Sequence, residues 1–226
     1  SGMHGVFKDM NDAINASIEA QKKVCTMTLD QREQIISLIR KKTHENAEIL
    51  ANMGVNETGM GNVGDKILKH HLTADKVPGT EDISTIAWSG DRGLTLVEMG
   101  PFGVIGAITP ATNPSETVIC NCIGMLAGGN TVVFNPHPNA KKTTIYTINM
   151  INEASIEAGG PDNIAVTVEA PTLDTSAIMM KHPSIHLLVA TGGPGVVTAV
   201  LSSGKRAIGA GAGNPPVLVD ETADIR

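Results

Sequence analysis

From residue 94 onward, short runs of β-branched and aliphatic residues alternate with stretches of helical length, and each run ends in a segment rich in Gly, Pro, Asn or Thr. Residues 94–99, 104–109, 131–134, 164–168, 186–190 and 217–219 read as strands. Residues 115–127, 140–158, 173–181 and 194–202 read as the helices between them. Strands held apart by about 10–15 helical residues cannot pair as hairpins and instead make βαβ units. The fold class is therefore α/β, a doubly wound parallel sheet of Rossmann type with helices on both faces. Burial on both faces also explains why the strands are apolar almost without interruption.

The first 93 residues have a different character. Phe7, Met10, Ile14 and Ile18 recur at three- and four-residue steps and give one apolar helical face. Thr28 and Gln31 have the spacing of a capping box. The helix it opens carries Ile35, Ile36, Leu38, Ile39, Ala47 and Leu50 on a broad stripe, with breaks expected at Gly54 and at Gly59 to Gly61. A third helix is expected over 62–72. Residues 73–93, with Pro78, Gly79, Gly90 and Gly93 and little periodicity, read as a connecting loop. The organisation expected is an N-terminal helical segment, 1–93, packing on a dinucleotide-binding α/β region, 94–226. Ser1 and Gly2, ahead of Met3, read as a tag remnant and are set aside.

Composition narrows the function. Lys plus Arg is 17, Asp plus Glu is 23 and the net charge is −6, with aromatics at 2%. Such a chain has neither the basic footprint nor the stacking residues that nucleic acid requires, so no nucleic-acid partner is expected. No apolar run reaches the ~18 residues of a membrane span, and no basic stretch leads into an apolar one, so neither membrane insertion nor a secretory leader is expected. Cys25, Cys120 and Cys122 are too few for a disulfide framework, which fits a reducing compartment. Cys120 and Cys122 have no companion ligands at zinc-site spacing, so no metal is expected; their helix and apolar neighbours favour core packing. The 24 glycines are about 11% of the chain against a usual ~7%. They point to tight turns and to places where backbone approaches another group closely.

In a sheet of this kind ligands bind beyond the carboxyl ends of the strands. Thr191, Gly192, Gly193, Pro194 and Gly195 form a Gly-rich turn entering a helix, and two readings stay open: a phosphate cradle at a helix N-terminus, or only a tight turn. Asn113, held extended by Pro114, can donate its amide to a developing oxyanion or cap the next helix. Ser115 competes for that cap. His137, between Pro136 and Pro138, is either a base or a surface imidazole. His70 and His71 read as a solvated helix face, and Lys141 and Lys142 as solvent-facing.

Taken in order, these strand-end segments resemble the aldehyde dehydrogenase superfamily, above all its CoA-acylating branch. Three strings carry the likeness. They are Gly-Pro-Phe-Gly-Val-Ile-Gly-Ala-Ile-Thr-Pro-Ala-Thr-Asn-Pro over 100–114, Ala-Thr-Gly-Gly-Pro-Gly over 190–195 and Gly-Ala-Gly-Ala-Gly-Asn-Pro-Pro over 209–216. Asp-Glu-Thr-Ala-Asp-Ile over 220–225 closes the series. The resemblance implies oxidation of a short-chain aldehyde to acyl-CoA, with NAD and coenzyme A, through a cysteine thioester. It implies Asn113 as the oxyanion donor. Thr109, Pro110, Ala111 and Thr112 would line the nicotinamide side, and Asn135, Pro136 and His137 would stand at the ribose, where hydrolytic relatives carry Lys-Pro-Ser. Thr191, Gly192, Gly193, Pro194, Gly195 and Val196 would lie beside the pyrophosphate.

The stretch matching the water-activating Glu of hydrolytic relatives is Gly209, Ala210, Gly211 and Ala212, so that carboxylate is missing. A thioester with no base to activate water hydrolyses slowly, whereas the CoA thiol needs less help. The family's nucleophilic Cys follows this string by a few tens of residues. These 226 residues are thus expected to be the cofactor-binding portion of a protein about twice as long, inactive alone. The likeness also implies a homo-oligomer, dimer or tetramer, in the cytoplasm or in the lumen of a bacterial microcompartment, near its shell. An acyl-phosphate-type reductase of the same superfamily, or a non-catalytic nucleotide-binding module, are the alternatives.

Overall fold

Six strands build one sheet in the order β1-β6-β5-β4-β7-β8, and every neighbouring pair is parallel. They are β1 (Val6–Phe7), β4 (Val104–Thr109), β5 (Thr131–Pro136), β6 (Ala165–Val168), β7 (Ile185–Thr191) and β8 (Arg206–Ala210). The computed structural model describes residues 3–211, 213 and 216–224. Ser1 and Gly2, Ala212, Asn214 and Pro215 of the Gly-rich string, and Ile225 with Arg226 lie outside the described residues.

Eight α-helices are described: α1 (Met10–Val24), α2 (Leu29–Glu45), α3 (Ala47–Thr58), α4 (Val63–Lys76), α5 (Pro114–Ala127), α6 (Lys141–Glu157), α7 (Leu173–Lys181) and α8 (Pro194–Leu201). Strand alternation sends successive side chains to opposite layers. Val132 and Phe134 of β5 pack into a core with Ile35, Ile39, Ile119, Ile123 and Ile151 from α2, α5 and α6. Val133 points the other way, into a core with Met10 and Ile14 of α1, Met179 of α7 and Val200 of α8. The doubly wound architecture is thus the one the periodicity predicted.

Local chemistry sets the helix ends. Asp9 opens α1, its carboxylate accepting from the N–H of Asn11 at 2.8 Å. Thr28 and Gln31 form the expected reciprocal capping box on α2. Such a cap contributes about 1 kcal/mol. Buried polar contacts tie α1 to the start of β5: Gln21 accepts from the N–H of Thr131 at 2.7 Å and donates to the carbonyl of Gly129 at 2.8 Å.

Several elements depart from the sequence reading. Phe7 lies in β1, where Phe7 pairs with Val168, rather than on a helical face. The long second helix divides at Asn46, so Ala47 and Leu50 belong to α3. Gly54 is no break: it sits buried inside α3, and the chain turns at Gly59 in the left-handed region (φ 68°). Helix α4 runs on to Lys76, and 73–93 also holds a strand, β2 (Ile86–Gly90). It pairs antiparallel with β3 (Gly93–Val97) across the two-residue turn Asp91–Arg92, so residues 94–97 leave the parallel sheet for a separate exposed hairpin. Period-two alternation on each side of a two-residue turn is a hairpin signal, and it overrode the loop composition. Residues 206–210 form β8, and 217–219 form no strand, because their exposed apolar side chains find no neighbouring ladder.

Gly5 is where β1 needs a glycine. Its φ is 74°, and an added Cβ would lie 2.4 Å from the carbonyl oxygen of Ala165 and 2.3 Å from Nδ2 of Asn152. Its own carbonyl accepts from the N–H of Thr167 at 2.8 Å. Gly5→Ala should destabilise the fold by roughly 1–3 kcal/mol and speed exchange of the Thr167 amide; an unchanged urea midpoint would contradict this account of the edge strand.

Candidate functional site

The chain lays β5 and then β6 on one side of β4 and returns to place β7 on its other side. The carboxyl ends of β4 and β7 therefore flank a switch point, where a doubly wound sheet opens a crevice. A cavity of about 810 Å³ lies there. Thr109, Pro110, Ala111 and Thr112 from the β4 tip form one wall, and Asn135, Pro136 and His137 from the β5 tip another. Thr191, Gly192, Gly193 and Val196, at the turn into α8, close the third side. These eleven expected residues are brought together.

Others are not part of the wall. Pro194 and Gly195 are the first residues of α8, Asn113 stands just before α5, and Gly209 and Ala210 pair with Ala190 and Thr191 inside the sheet. A Cβ on Gly209 would strike Cγ1 of Val197 at 2.6 Å, so this position faces α8 and not the cleft. Sequence reasoning passed over Thr172, Leu173 and Ser176, which also line the cavity. The signal was present: every parallel strand contributes its tip, and Thr172 opens a helix after β6.

Four crossover helices, α5 to α8, begin at this edge, and their N-termini differ in charge. Helix α6 is capped from outside: Glu57 of α3 accepts from the N–H groups of Lys142 and Thr143, each at 2.7 Å. Helix α7 carries a capping box from Thr172 and Thr175 and has Asp174 in its first turn. Helix α5 has Glu116 in its first turn. Helix α8 has Gly193 at the N-cap, no side-chain cap, Pro194 at its first position and no acid in its first turn. Its donors and dipole are left for an anion from outside. An added Cβ on Gly193 would meet nothing within 4 Å, so the space before the helix is open. Among the described residues lining the cavity there is no Asp, Glu, Lys or Arg.

The β4 and β5 tips are held together by the His137 N–H donating to the carbonyl of Thr109 at 3.1 Å. His137 Nδ1 accepts from the N–H of Asn139 at 3.2 Å, which leaves the proton of the neutral ring on Nε2, as a donor at the rim. Asn135 is engaged elsewhere, its Oδ1 accepting from Thr175 Oγ1 at 2.6 Å. Thr109 Oγ1 is buried with no partner, a group that a polar ligand would satisfy. Open helix N-terminus, orphan hydroxyl and rim donor together fit a dinucleotide.

Beside the cleft, the turn carrying Thr112 and Asn113 rests on a buried polar network. Lys66 Nζ donates to the Thr112 carbonyl at 2.9 Å and pairs with Glu116 at 3.2 Å, both side chains being under 10% exposed. His70 is fully buried rather than solvated, bridging the Lys66 carbonyl at 2.6 Å and Ser115 Oγ at 2.7 Å. Burial holds the His70 pKa below its usual value, against the opposing pull of Glu116. Lys69 Nζ donates to Asn113 Oδ1 at 3.1 Å.

None of the three cysteines belongs to the cleft. Cys122 is in the core and burial pushes its thiol far up. Cys120, on the same helix, is raised chiefly by burial. Cys25 ends α1 at the opposite, amino edge of the sheet, accepting from Gln21 at 3.0 Å. Scarce thiolate at Cys120 and Cys122, and the placement of all three away from the cleft, disqualify them as nucleophiles at this site.

The sequence matches the aldehyde dehydrogenase family over residues 4–226. It is 50% identical over 225 residues to an acetylating acetaldehyde dehydrogenase of Bilophila wadsworthia, covering 99% of this chain and 46% of that protein. The fold superposes with a TM-score of 0.94 and 75% identity on a propionaldehyde dehydrogenase from the fucose-utilisation microcompartment of Clostridium phytofermentans, covering 98% of this chain and 51% of that one. A Rhodopseudomonas palustris propionaldehyde dehydrogenase with bound propionyl-CoA gives a TM-score of 0.92 at 52% identity, over 98% of this chain and 49% of that one. The chain spans about half the length of the curated relatives it matches.

Removing one member of the buried pair exposes its worth. Lys66→Met leaves Glu116 buried without its cation and should cost about 3–5 kcal/mol in chemical denaturation. Lys66→Met/Glu116→Leu should recover most of that loss; a double variant as unstable as the single one would show that the pair is not what holds the turn.

Proposed function

The chain belongs to the aldehyde dehydrogenase family, and from that premise we propose that it is the cofactor-binding part of a CoA-acylating aldehyde dehydrogenase. Its substrates would be a short-chain aldehyde, NAD and CoA. In that reaction a thiol of the enzyme would add to the aldehyde, the dinucleotide would supply the two-electron acceptor that takes the adduct to a thioester with release of a proton, and CoA would then take the acyl group and free the enzyme thiol. The thiol that adds to the aldehyde would come from outside these 226 residues, since Cys25, Cys120 and Cys122 lie away from the cleft.

The residues present take distinct parts. The turn Thr191 to Gly193 and the first turn of α8 would hold the pyrophosphate on main-chain donors. His137 Nε2–H would reach the ribose from the rim, and Thr109 Oγ1 would gain a partner from the bound molecule. Asn113 would donate its amide to the aldehyde oxygen as negative charge builds there, which lowers the barrier without proton transfer.

One observation carries the choice of acyl acceptor: no carboxylate lines the cleft among the described residues. Hydrolysis of a thioester needs a base to take the proton of the attacking water. CoA brings an intrinsically stronger nucleophile and depends less on such a base. The wall as built therefore favours thiol over water.

A homo-oligomer, dimer or tetramer, accords with the exposed hairpin of β2 and β3, whose Ile86, Trp88, Leu94 and Leu96 stand in solvent. Residence in a bacterial microcompartment lumen, near its shell within the cytoplasm, accords with the source of the Clostridium phytofermentans relative. No described helix is long and apolar enough to cross a membrane.

In the complete enzyme, Asn113→Ala should lower kcat by roughly 10²–10³ while calorimetry still shows saturable NAD(+) binding. Near-normal turnover would remove Asn113 from the mechanism, and no binding at millimolar NAD(+) would remove the dinucleotide from the cleft.

A further inference from the structure

We propose that Lys69 is a positioning residue for Asn113, fixing which end of its amide faces the reacting aldehyde; this rests on the reading of Asn113 as an oxyanion donor. Asn113 stands at the N-cap of α5 yet makes no side-chain cap, unlike Thr28 on α2 and Thr172 on α7. Its amide is therefore free to rotate as far as the helix is concerned. Lys69 Nζ donates to Asn113 Oδ1 at 3.1 Å. An ammonium group only donates, so the amide oxygen must face Lys69 and the NH2 group must point elsewhere. The reversed amide would turn an oxygen toward the developing alkoxide and repel it. A cation on the oxygen also draws charge from the amide and makes its N–H a better donor.

Helix geometry makes this contact more than a chance surface bond. Lys66, Lys69 and His70 occupy positions i, i+3 and i+4 of α4 and share one face. That face meets the turn at Thr112, Asn113, Ser115 and Glu116 in succession. Lys66 and His70 are buried and set the height of the turn, so the one exposed member, Lys69, meets Asn113 in a fixed place. Because Lys69 is solvent-exposed, its removal should leave folding intact and show in catalysis alone.

The test uses the complete enzyme with Lys69→Met, Lys69→Arg, Asn113→Ala and the Asn113→Ala/Lys69→Met double variant. Lys69→Met should lower kcat roughly tenfold, with aldehyde KM, NAD(+) affinity and unfolding midpoint unchanged. Lys69→Arg should restore most of the rate, and the double variant should be no slower than Asn113→Ala. Normal kcat in Lys69→Met beside a slow Asn113→Ala, or losses that multiply in the double variant, would overturn the positioning role. So would a lowered midpoint that Arg does not rescue. A fast Asn113→Ala would instead bring down the reading of Asn113 itself, and this inference with it.

Discussion

A sheet whose six strands all run one way cannot be closed by hairpins. Each return to the starting edge takes a crossover, and here α5, α6, α7 and α8 all begin where β4, β5, β6 and β7 end. Four positive helix ends are thereby gathered on one edge of the sheet, beside that of α1, which follows β1 and is capped by Asp9. Left alone they would be four equivalent anion sites. The chain removes that equivalence: Glu57 occupies α6, Thr172 and Asp174 occupy α7, and α5 carries Glu116 in its first turn. Helix α8 alone is left without cap or acid, and it borders the cavity. An anion approaching this edge would therefore be directed as much by the ends that are filled as by the end left open.

The buried network under α5 links this edge to the turn beside it. Lys66 and His70 anchor the turn that carries Asn113 to α4, a helix from the segment preceding the sheet's central strand. The arrangement explains why polar and charged groups are accepted at near-zero exposure: each has a partner, and the pairings leave only certain orientations of the turn open. The turn into α8 and the turn carrying Asn113 are thereby held on adjacent strand tips, at the ends of β7 and β4.

Much of this was legible from residue patterns. Strands 104–109 and helix 173–181 emerged at their observed limits, because long apolar runs bounded by Gly and Pro admit few alternatives. The cleft residues followed from topology, since parallel strands place every tip on one edge. What escaped depended on tertiary context. His70 reads as a polar helix position until Ser115 of a distant segment meets it. Gly209 reads as a strand-end residue, and only the packing of Val197 shows that it faces a helix. Residues 217–219 have strand composition without a partner strand. Glu57 carries no local sign that it caps a helix more than eighty positions away.

We propose that α8 holds the pyrophosphate because its N-terminus is uncapped. Gly193 has φ −66° and ψ 158°, a conformation any residue adopts, and open space where a side chain would go. Gly193→Asp would place the chain's own carboxylate on that end without steric strain, with Gly193→Asn as the uncharged isostere. Titration calorimetry should show the Asp variant binding NAD(+) at least roughly tenfold more weakly, at an equal or higher unfolding midpoint, while the Asn variant keeps most of its affinity. Unchanged affinity in the Asp variant would contradict the account, since an anion resting on α8 could not ignore a carboxylate in the same place.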